Sequence, residues 1–278
     1  MNLTDITKIS VLGCGWLGLP LAKALKSAGF YVKGSTTAAN KLEILASAHI
    51  DPFLVQLNPN LEGDDIQLFL DADLLIINIP PGRHQGLESN YVDKMRHVAN
   101  AVAASPIKKL IFVSSSSVYP ENNAEVTEET EINSQSTSAL SLFNAEEVFR
   151  NLAELQTTVI RMSGLIGPNR HPGRFFGGKE NIPNGLAPVN LIHLNDCIGI
   201  IKIVIEKGIW GETLNACSPN HPTKMDFYSL ASEKYNQSKA QFIPERQEFK
   251  IVSSQKLIAQ YGYQYQHPNL MDWLLQSQ

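Results

Sequence analysis

The sequence predicts an α/β fold, a doubly wound parallel sheet followed by a small C-terminal α+β lobe. Three observations predict it. Short runs rich in Ile, Val and Leu alternate with longer segments of helical period, the pattern of parallel strands joined by crossover helices. A glycine-rich turn near the start joins the first such run to the first helix. After Gly164 the alternation gives way to Gly/Pro/Asn-rich loops from Ile166 to Pro188, the kind of segment that carries ligand contacts.

In chain order, strands are expected at Lys8–Leu12, Tyr31–Gly34, Pro52–Gln56, Leu74–Ile79, Lys109–Val113 and Thr158–Arg161. Helices are expected between them, at Leu17–Ala28, Asn40–Ala48, Asp65–Leu70, Leu87–Ala104 and Leu140–Leu155. Six strands in this order make a doubly wound sheet. Beyond the loops come a helix at Asn195–Lys207, a short strand at Thr213–Ala216 and two or three further helices. These late segments are too few for a core of their own. Residues 1–165 are therefore expected to form a nucleotide-binding domain, and residues 166–278 a substrate lobe packed on its sheet.

Composition narrows the function. The 278 residues carry 23 Lys plus Arg against 27 Asp plus Glu, a formal charge of −4, with 43% hydrophobic residues. A mildly acidic chain without a Lys/Arg run has no electrostatic footprint for nucleic acid or an anionic membrane. No apolar stretch approaches a bilayer span, and the opening residues lack a secretion signal, so a cytoplasmic location is expected. Cys14, Cys197 and Cys217 are odd in number and lack ligand spacing. They read as small buried hydrophobes, and no metal site is expected.

Ile9-Ser10-Val11-Leu12 leads directly into Gly13-Cys14-Gly15-Trp16-Leu17-Gly18, a G-x-G-x-x-G between strand and helix. The first glycine permits the tight turn, the second lets the backbone approach a pyrophosphate, and the third lets helix and strand pack closely. The pyrophosphate would lie on the amides of the turn and helix N-terminus, Gly13 to Gly18 with Trp16 and Leu17. The structural alternative is a glycine-rich turn without a ligand. With a dinucleotide in place, the fold is of Rossmann type.

No acidic residue lies between Asp5 and Glu43. A site that prefers NAD commonly places a carboxylate about 20 residues beyond the fingerprint, and that carboxylate repels a 2′-phosphate. Here the second strand ends in Gly34-Ser35-Thr36-Thr37, followed by Asn40 and Lys41. Hydroxyls and a cation suit a phosphate, so NADP is expected to be preferred over NAD. A polar turn capping the next helix accounts for Ser35, Thr36 and Thr37 equally simply.

These features in this order resemble the extended short-chain dehydrogenase/reductase superfamily, the NAD-dependent epimerase/dehydratase group, over nearly the whole chain. The stretch Val113-Ser114-Ser115-Ser116-Ser117-Val118-Tyr119-Pro120 resembles the end of that family's fifth strand. The resemblance implies that Ser115 hydrogen-bonds the substrate. Arg161-Met162-Ser163-Gly164 resembles the segment whose backbone lies against the nicotinamide, which implicates Met162 and Ser163. Val189-Asn190-Leu191-Ile192-His193-Leu194-Asn195-Asp196 resembles the N-x-I-H-x-x-D stretch of the substrate lobe, which implicates Asn190 and His193. Gly-Cys-Gly-Trp-Leu-Gly, together with Asn78-Ile79-Pro80-Pro81-Gly82 after strand four, narrows the match to the atypical YeeZ-like subgroup. Asn78 to Pro81 would wall the cofactor site.

The departure concerns catalysis. The family's acid/base is a Tyr followed four residues later by a Lys. The matching helix reads Thr137-Ser138-Ala139-Leu140-Ser141-Leu142-Phe143-Asn144-Ala145-Glu146-Glu147, with Ala139 or Leu140 and Phe143 or Asn144 at the two positions. No Lys occurs from Leu110 to Gly178. Tyr235 and Lys239 have the spacing but lie late in the chain, in the wrong context.

Remaining candidates for proton transfer or substrate contact are Ser115, Ser116, Tyr119, His84, His171 and His193. Tyr119 and His193 have structural readings too. Arg170 and Arg174 suit an anionic substrate or a nucleotide diphosphate, or face only water. Two functions follow. One is an NAD(P)-dependent oxidoreductase or epimerase-like enzyme acting on a small polar or nucleotide-sugar substrate. The other is a catalytically silent NADP-binding sensor. The expected partners are the small-molecule substrate and a second copy of the chain in a homodimer.

Overall fold

A computed structural model describes residues 6–58, 60–63, 65–81 and 89–276 of the chain. Gly82 and His84 lie outside the described residues. The elements run β1 (Lys8–Leu12), α1 (Gly18–Ser27), β2 (Tyr31–Thr36), α2 (Leu42–Ser47), β3 (Asp51–Asn58), β4 (Asn60–Gly63), α3 (Ile66–Leu70) and β5 (Leu74–Ile77). They continue with α4 (Ser89–Ala103), β6 (Lys109–Ser115), β7 (Ala124–Val126), α5 (Thr137–Arg150), β8 (Gln156–Met162), β9 (Gly164–Ile166) and α6 (Gly173–Phe176). Last come β10 (Leu191–His193), α7 (Leu194–Lys207), β11 (Thr213–Ala216), α8 (Lys224–Lys234), β12 (Lys250–Val252) and α9 (Leu270–Gln276).

The principal sheet has the order β11-β8-β6-β5-β1-β2-β3-β4. Pairings β1/β2, β1/β5, β2/β3 and β5/β6 are parallel, and β4 returns antiparallel on β3. With β4 set aside, the strands from β3 to β8 follow the doubly wound order of a dinucleotide-binding sheet. The order reverses between β1 and β5. A crevice therefore opens beyond the C-terminal ends of these two strands, the place where open α/β sheets bind ligands.

Residue contacts divide the chain into two compact units. The first comprises residues 1–118, 134–160 and 198–213, and the second 119–133, 161–197 and 214–278. In the first unit the core forms where alternation stops. Ile9, Val11 and Leu12 of β1 and all four residues of β5 are at most 1% exposed, as strands covered on both faces must be. Helix α1 buries Leu21, Ala22 and Leu25 at the i, i+1, i+4 spacing of one helical face. Lys33 is buried in β2, where its Nζ donates to the carbonyls of Leu68 and Asp71 at the end of α3. That end carries the partial negative charge of the helix dipole. In the second unit Ile166, Val189, Leu191, Phe227, Ala231, Leu270 and Leu274 form the core.

Most expected elements are present, with ends moved by local chemistry. Helix α5 starts at Thr137 because the Ser136 hydroxyl accepts the Ala139 N–H. Strand β5 ends at Ile77, three residues before Pro80, whose missing N–H cannot continue a ladder. The polar strand β4 carries no apolar run and was not expected. Within the loops after Gly164, the four-residue helix α6 interrupts Ile166 to Pro188.

Candidate functional site

The glycine turn is built by exclusion of side chains. Gly13 has φ +103, and a Cβ there would lie 2.6 Å from the Asn78 carbonyl oxygen. A Cβ on Gly18 would lie 2.1 Å from the Gly13 carbonyl oxygen. The exposed Gly15, by contrast, would place its Cβ in open space, with nothing within 4 Å. Packing therefore dictates the first and third glycines, and leaves room above the second.

Neighbouring strands brace the turn. The Gly13 N–H donates to Ser35 Oγ at 2.9 Å, and the Cys14 N–H donates to the Ser35 carbonyl at 2.8 Å. On the other side the Asn78 N–H donates to the Leu12 carbonyl at 2.9 Å, and Asn78 Nδ2 donates to the Gly13 carbonyl at 3.1 Å. Helix α1 then begins at Leu17 and Gly18 with no side-chain cap and no acid in its first turn. Its N-terminal dipole is left for an outside anion. Burial pushes the Cys14 thiol up to about 12, so it stays a neutral packing group.

A cleft of about 490 Å³ lies beside this turn, wholly within the first unit. Leu12 and Gly13 at the end of β1, Ser35, Thr36 and Thr37 at the end of β2, and Val55 to Asn58 of β3 line it. Ile79 and Pro80 after β5 line it too, and α4 contributes Tyr91, Lys94 and Met95. Tyr91 is 3% exposed and donates to the Ile79 carbonyl at 2.8 Å, which ties α4 to the segment after β5. Burial raises its phenol well above the ordinary value, so it is a strut rather than a proton carrier. Among the described residues the lining contains no carboxylate and one ammonium, that of Lys94. Apolar walls, amides at a helix end and a single cation make a cleft suited to a ligand with a flat apolar group and anionic oxygens.

The sequence candidates separate on this frame. Gly13, Ser35, Thr36, Thr37, Ile79 and Pro80 line the cleft. Gly15, Trp16, Leu17, Gly18 and Asn78 build the turn beside it. The hydroxyls of Ser35 and Thr36 both accept backbone N–H groups, those of Gly13 and Ala38. Their first role is local bracing. Lys41 is exposed in a short turn ahead of α2 and is not part of the lining. Pro81 is half-buried and follows Pro80. Val55, Gln56, Leu57, Asn58, Tyr91, Lys94 and Met95 were not anticipated; they come from β3 and α4, which carry no motif.

Ser115 ends β6 at the C-terminal edge of the sheet, half-buried, with its Oγ accepting the Ser117 N–H at 3.1 Å. Ser116 is buried in the turn that follows. In α5, Ala139 is buried, Leu140 and Asn144 are exposed, and Phe143 is half-buried. None of these four side chains titrates.

The second unit holds the remaining candidates in internal bonds. The Tyr119 hydroxyl donates to Asn215 Oδ1 at 2.8 Å and accepts from Arg161 Nη1 at 2.8 Å, with the guanidinium 4.9 Å over its ring. Burial holds its phenol above the ordinary value. Asn190 Nδ2 donates to the Lys250 carbonyl, and its Oδ1 accepts the Val252 N–H, so both ends of the amide serve β12. His193 is 4% exposed, packed against His267 and Trp273, and burial beside His267 lowers it to about 4. His171 stacks on Tyr235 at 5.0 Å between ring centres. Arg170 Nε donates to the Leu165 carbonyl, and Arg174 Nη1 to that of Asn169. Met162 and Ser163 are buried, the Ser163 N–H donating to the Ala216 carbonyl. Tyr235 caps α8, and Lys239 beyond it pairs with Glu233, so these two do not form a family-type pair. No cluster of metal-ligating side chains and no helix long and apolar enough to cross a membrane occurs among the described residues.

A family model described as NAD dependent epimerase/dehydratase family matches residues 9–217. The chain belongs to this family. Two relatives, both called Protein YeeZ, from Escherichia coli strains K12 and O157:H7, are 34% identical to it over 266 residues. The match covers 94% of this chain and 97% of theirs. Solved structures share the fold of the epimerase/dehydratase family at lower identity. A UDP-glucuronic acid 4-epimerase from Bacillus cereus in complex with NAD is 20% identical, with TM-score 0.78 over 96% of this chain and 94% of its own. A human epimerase family protein with NADPH is 18% identical, with TM-score 0.73 over 97% and 98%. A conserved protein of unknown function from Silicibacter pomeroyi is 19% identical, with TM-score 0.75 over 97% of each chain.

Proposed function

We propose that the cleft beside Gly13 binds a nicotinamide dinucleotide, NADP in preference to NAD, and that the protein is an oxidoreductase or epimerase-like enzyme. Its substrate would be a small polar molecule of the nucleotide-sugar class. One observation carries the dinucleotide reading: a side-chain-free approach over Gly15, at an uncapped helix start, opens at the strand-order reversal beside a cleft with no acid among its described lining residues. The residues fit the group. A pyrophosphate needs N–H donors and space where a Cβ would stand, and Gly15 supplies that space. Proteins of the same fold bound to NAD and to NADPH support this reading.

A bound nicotinamide supplies or accepts hydride. The chain's residues position and protect the reactants. The amides from Gly15 to Gly18 hold the pyrophosphate, Tyr91 fixes α4 against Ile79, and Ser115 offers a hydroxyl to a substrate oxygen at the sheet edge. The Met162-Ser163 backbone is assigned to the nicotinamide and Arg170 and Arg174 to anionic substrate oxygens, whereas the internal bonds of Asn190, His193 and Tyr119 favour structural support.

A second reading, a cofactor-binding sensor without turnover, is favoured by one feature. Ala139, Leu140, Phe143 and Asn144 leave no titratable group at the family's acid/base positions of α5. Native mass spectrometry with NADPH, NADH and a metabolite extract separates the two. The enzyme reading expects a metabolite retained only when the dinucleotide is present, and NADPH oxidation with it. Dinucleotide retained with no metabolite and no oxidation supports the sensor. A homodimer is the expected assembly, tested by light scattering on the purified chain.

A further inference from the structure

We propose that Lys94, on α4, reads the extra phosphate of NADP and sets the preference for it over NAD; this rests on the dinucleotide reading above. The sequence points to Lys41 for that role, since it is the first cation after the second strand. The structure puts Lys41 on an exposed turn outside the cleft lining, and Lys94 within it.

Three observations single Lys94 out. Among the described residues that line the cleft it supplies the one formal charge, and none of them is a carboxylate that would neutralise it or repel a phosphate. It is half-buried, so its ammonium acts through a medium less screening than bulk water. Its near neighbour on the helix, Arg96, is engaged in an ion pair with Asp93 at 2.5 Å, whereas among the described residues no ion pair engages Lys94. The cleft also continues past Lys94. A second groove, to which Asp93, Arg96, His97 and Asn100 contribute, shares Leu57, Asn58 and Lys94 with the first, and its carboxylate, Asp93, is the one paired with Arg96. Lys94 thus lies at the junction of the two, where the adenosine end of a dinucleotide would leave the apolar walls and meet a polar surface whose other charges, Asp93 and Arg96, pair with each other. A flexible ammonium serves a monoester phosphate as a point charge, without the planar fork of an arginine.

The test uses the full chain and four probes: NADPH, NADH, 2′,5′-ADP and 5′-ADP, titrated by calorimetry into wild type, Lys94→Gln, Lys94→Arg and Lys41→Gln. The wild type is expected to bind each 2′-phosphorylated probe at least about tenfold tighter than its partner. Lys94→Gln is expected to bring both ratios close to one by weakening the phosphorylated probes alone. Lys94→Arg should retain most of the preference, and Lys41→Gln all of it. Binding of the phosphorylated probes by wild type and Lys94→Gln should also differ in slope against salt concentration. Thermal melting of each variant reports its fold, and Lys94→Met, titrated in the same way and expected to lose the preference as Lys94→Gln does, carries the test if the glutamine variant melts early. A preference in the wild type that survives in Lys94→Gln, or one that disappears in Lys41→Gln, overturns the role of Lys94 and leaves the dinucleotide reading intact. Equal wild-type affinity for both members of each pair overturns it too. Binding of no probe by the wild type overturns the dinucleotide reading itself.

Discussion

Asn78 and Gly13 fasten together the two strands between which the sheet reverses its order. The Asn78 amide Nδ2 donates to the Gly13 carbonyl at 3.1 Å, and the Asn78 carbonyl oxygen lies where a Cβ on residue 13 would stand. The segment after β5 therefore sets the shape of the turn after β1.

Replacing Asn78 with Leu removes that bond while keeping the branched shape of the side chain, and leaves the Gly13 carbonyl without its side-chain partner. A loss of about 1 kcal/mol is expected, the usual worth of one such bond, read as a lower urea midpoint at unchanged slope. Dinucleotide affinity should fall with it, since the turn loses its brace.

The three glycines should behave differently. Gly13→Ala forces a side chain onto φ +103 and against Asn78, and a loss of at least about 1–3 kcal/mol is expected. Gly18→Ala meets the Gly13 carbonyl oxygen at 2.1 Å and should be at least as damaging. Gly15→Ala meets nothing and should melt like the wild type, so any loss of dinucleotide binding there reports on the ligand. Equal melting temperatures for all three variants would contradict this account of the turn.

Tyr119→Phe separates structure from catalysis. It removes one hydrogen bond from each of Arg161 and Asn215 in a buried site, and a loss of about 1–3 kcal/mol is expected, the usual range where a charged group loses such a bond. Denaturant unfolding measures it. Any turnover should persist below the melting transition; its complete loss with an unchanged unfolding midpoint would make Tyr119 a reacting group.

His193 makes stability depend on pH. Burial and the neighbouring His267 lower it from 6.5 to about 4. Between these values the unfolded chain holds a proton that the folded chain does not, so stability is full above pH 6.5, falls as pH drops, and levels off below 4. Burial lowers His171 and His221 in the same direction. His193→Asn keeps an acceptor near the Asn195 N–H and removes the titration. It should flatten, without abolishing, the slope of unfolding free energy against pH in this window.

The glycine turn and most strands were legible in the sequence because their causes are local. An apolar run buried on both faces, a turn needing positive φ and a hydroxyl capping a helix each leave a mark within a few residues. Gly13, Gly15 and Gly18 were assigned from spacing, and their separate constraints follow that assignment. The other side of the cleft was not legible. Gln56, Asn58, Tyr91, Lys94 and Met95 are ordinary residues of β3 and α4, brought to Gly13 by sheet order. Strand β4 was missed because Asn60-Leu61-Glu62-Gly63 has one large apolar residue at a sheet edge. Ser35 was assigned to a phosphate on its residue type, and its bond to the Gly13 N–H is visible only once β1 and β2 are paired. The absence of a Tyr/Lys pair in α5 needed no structure.

The central claim is that this cleft holds a nicotinamide dinucleotide with its pyrophosphate over Gly15. Titration of NADPH, followed by its fluorescence, into wild type and Gly15→Arg tests it directly, with melting temperature as the control for folding. The expected result is saturable binding by the wild type, tighter for NADPH than for NADH, and none by Gly15→Arg at an unchanged melting temperature. Equal affinity in the two proteins would contradict the claim.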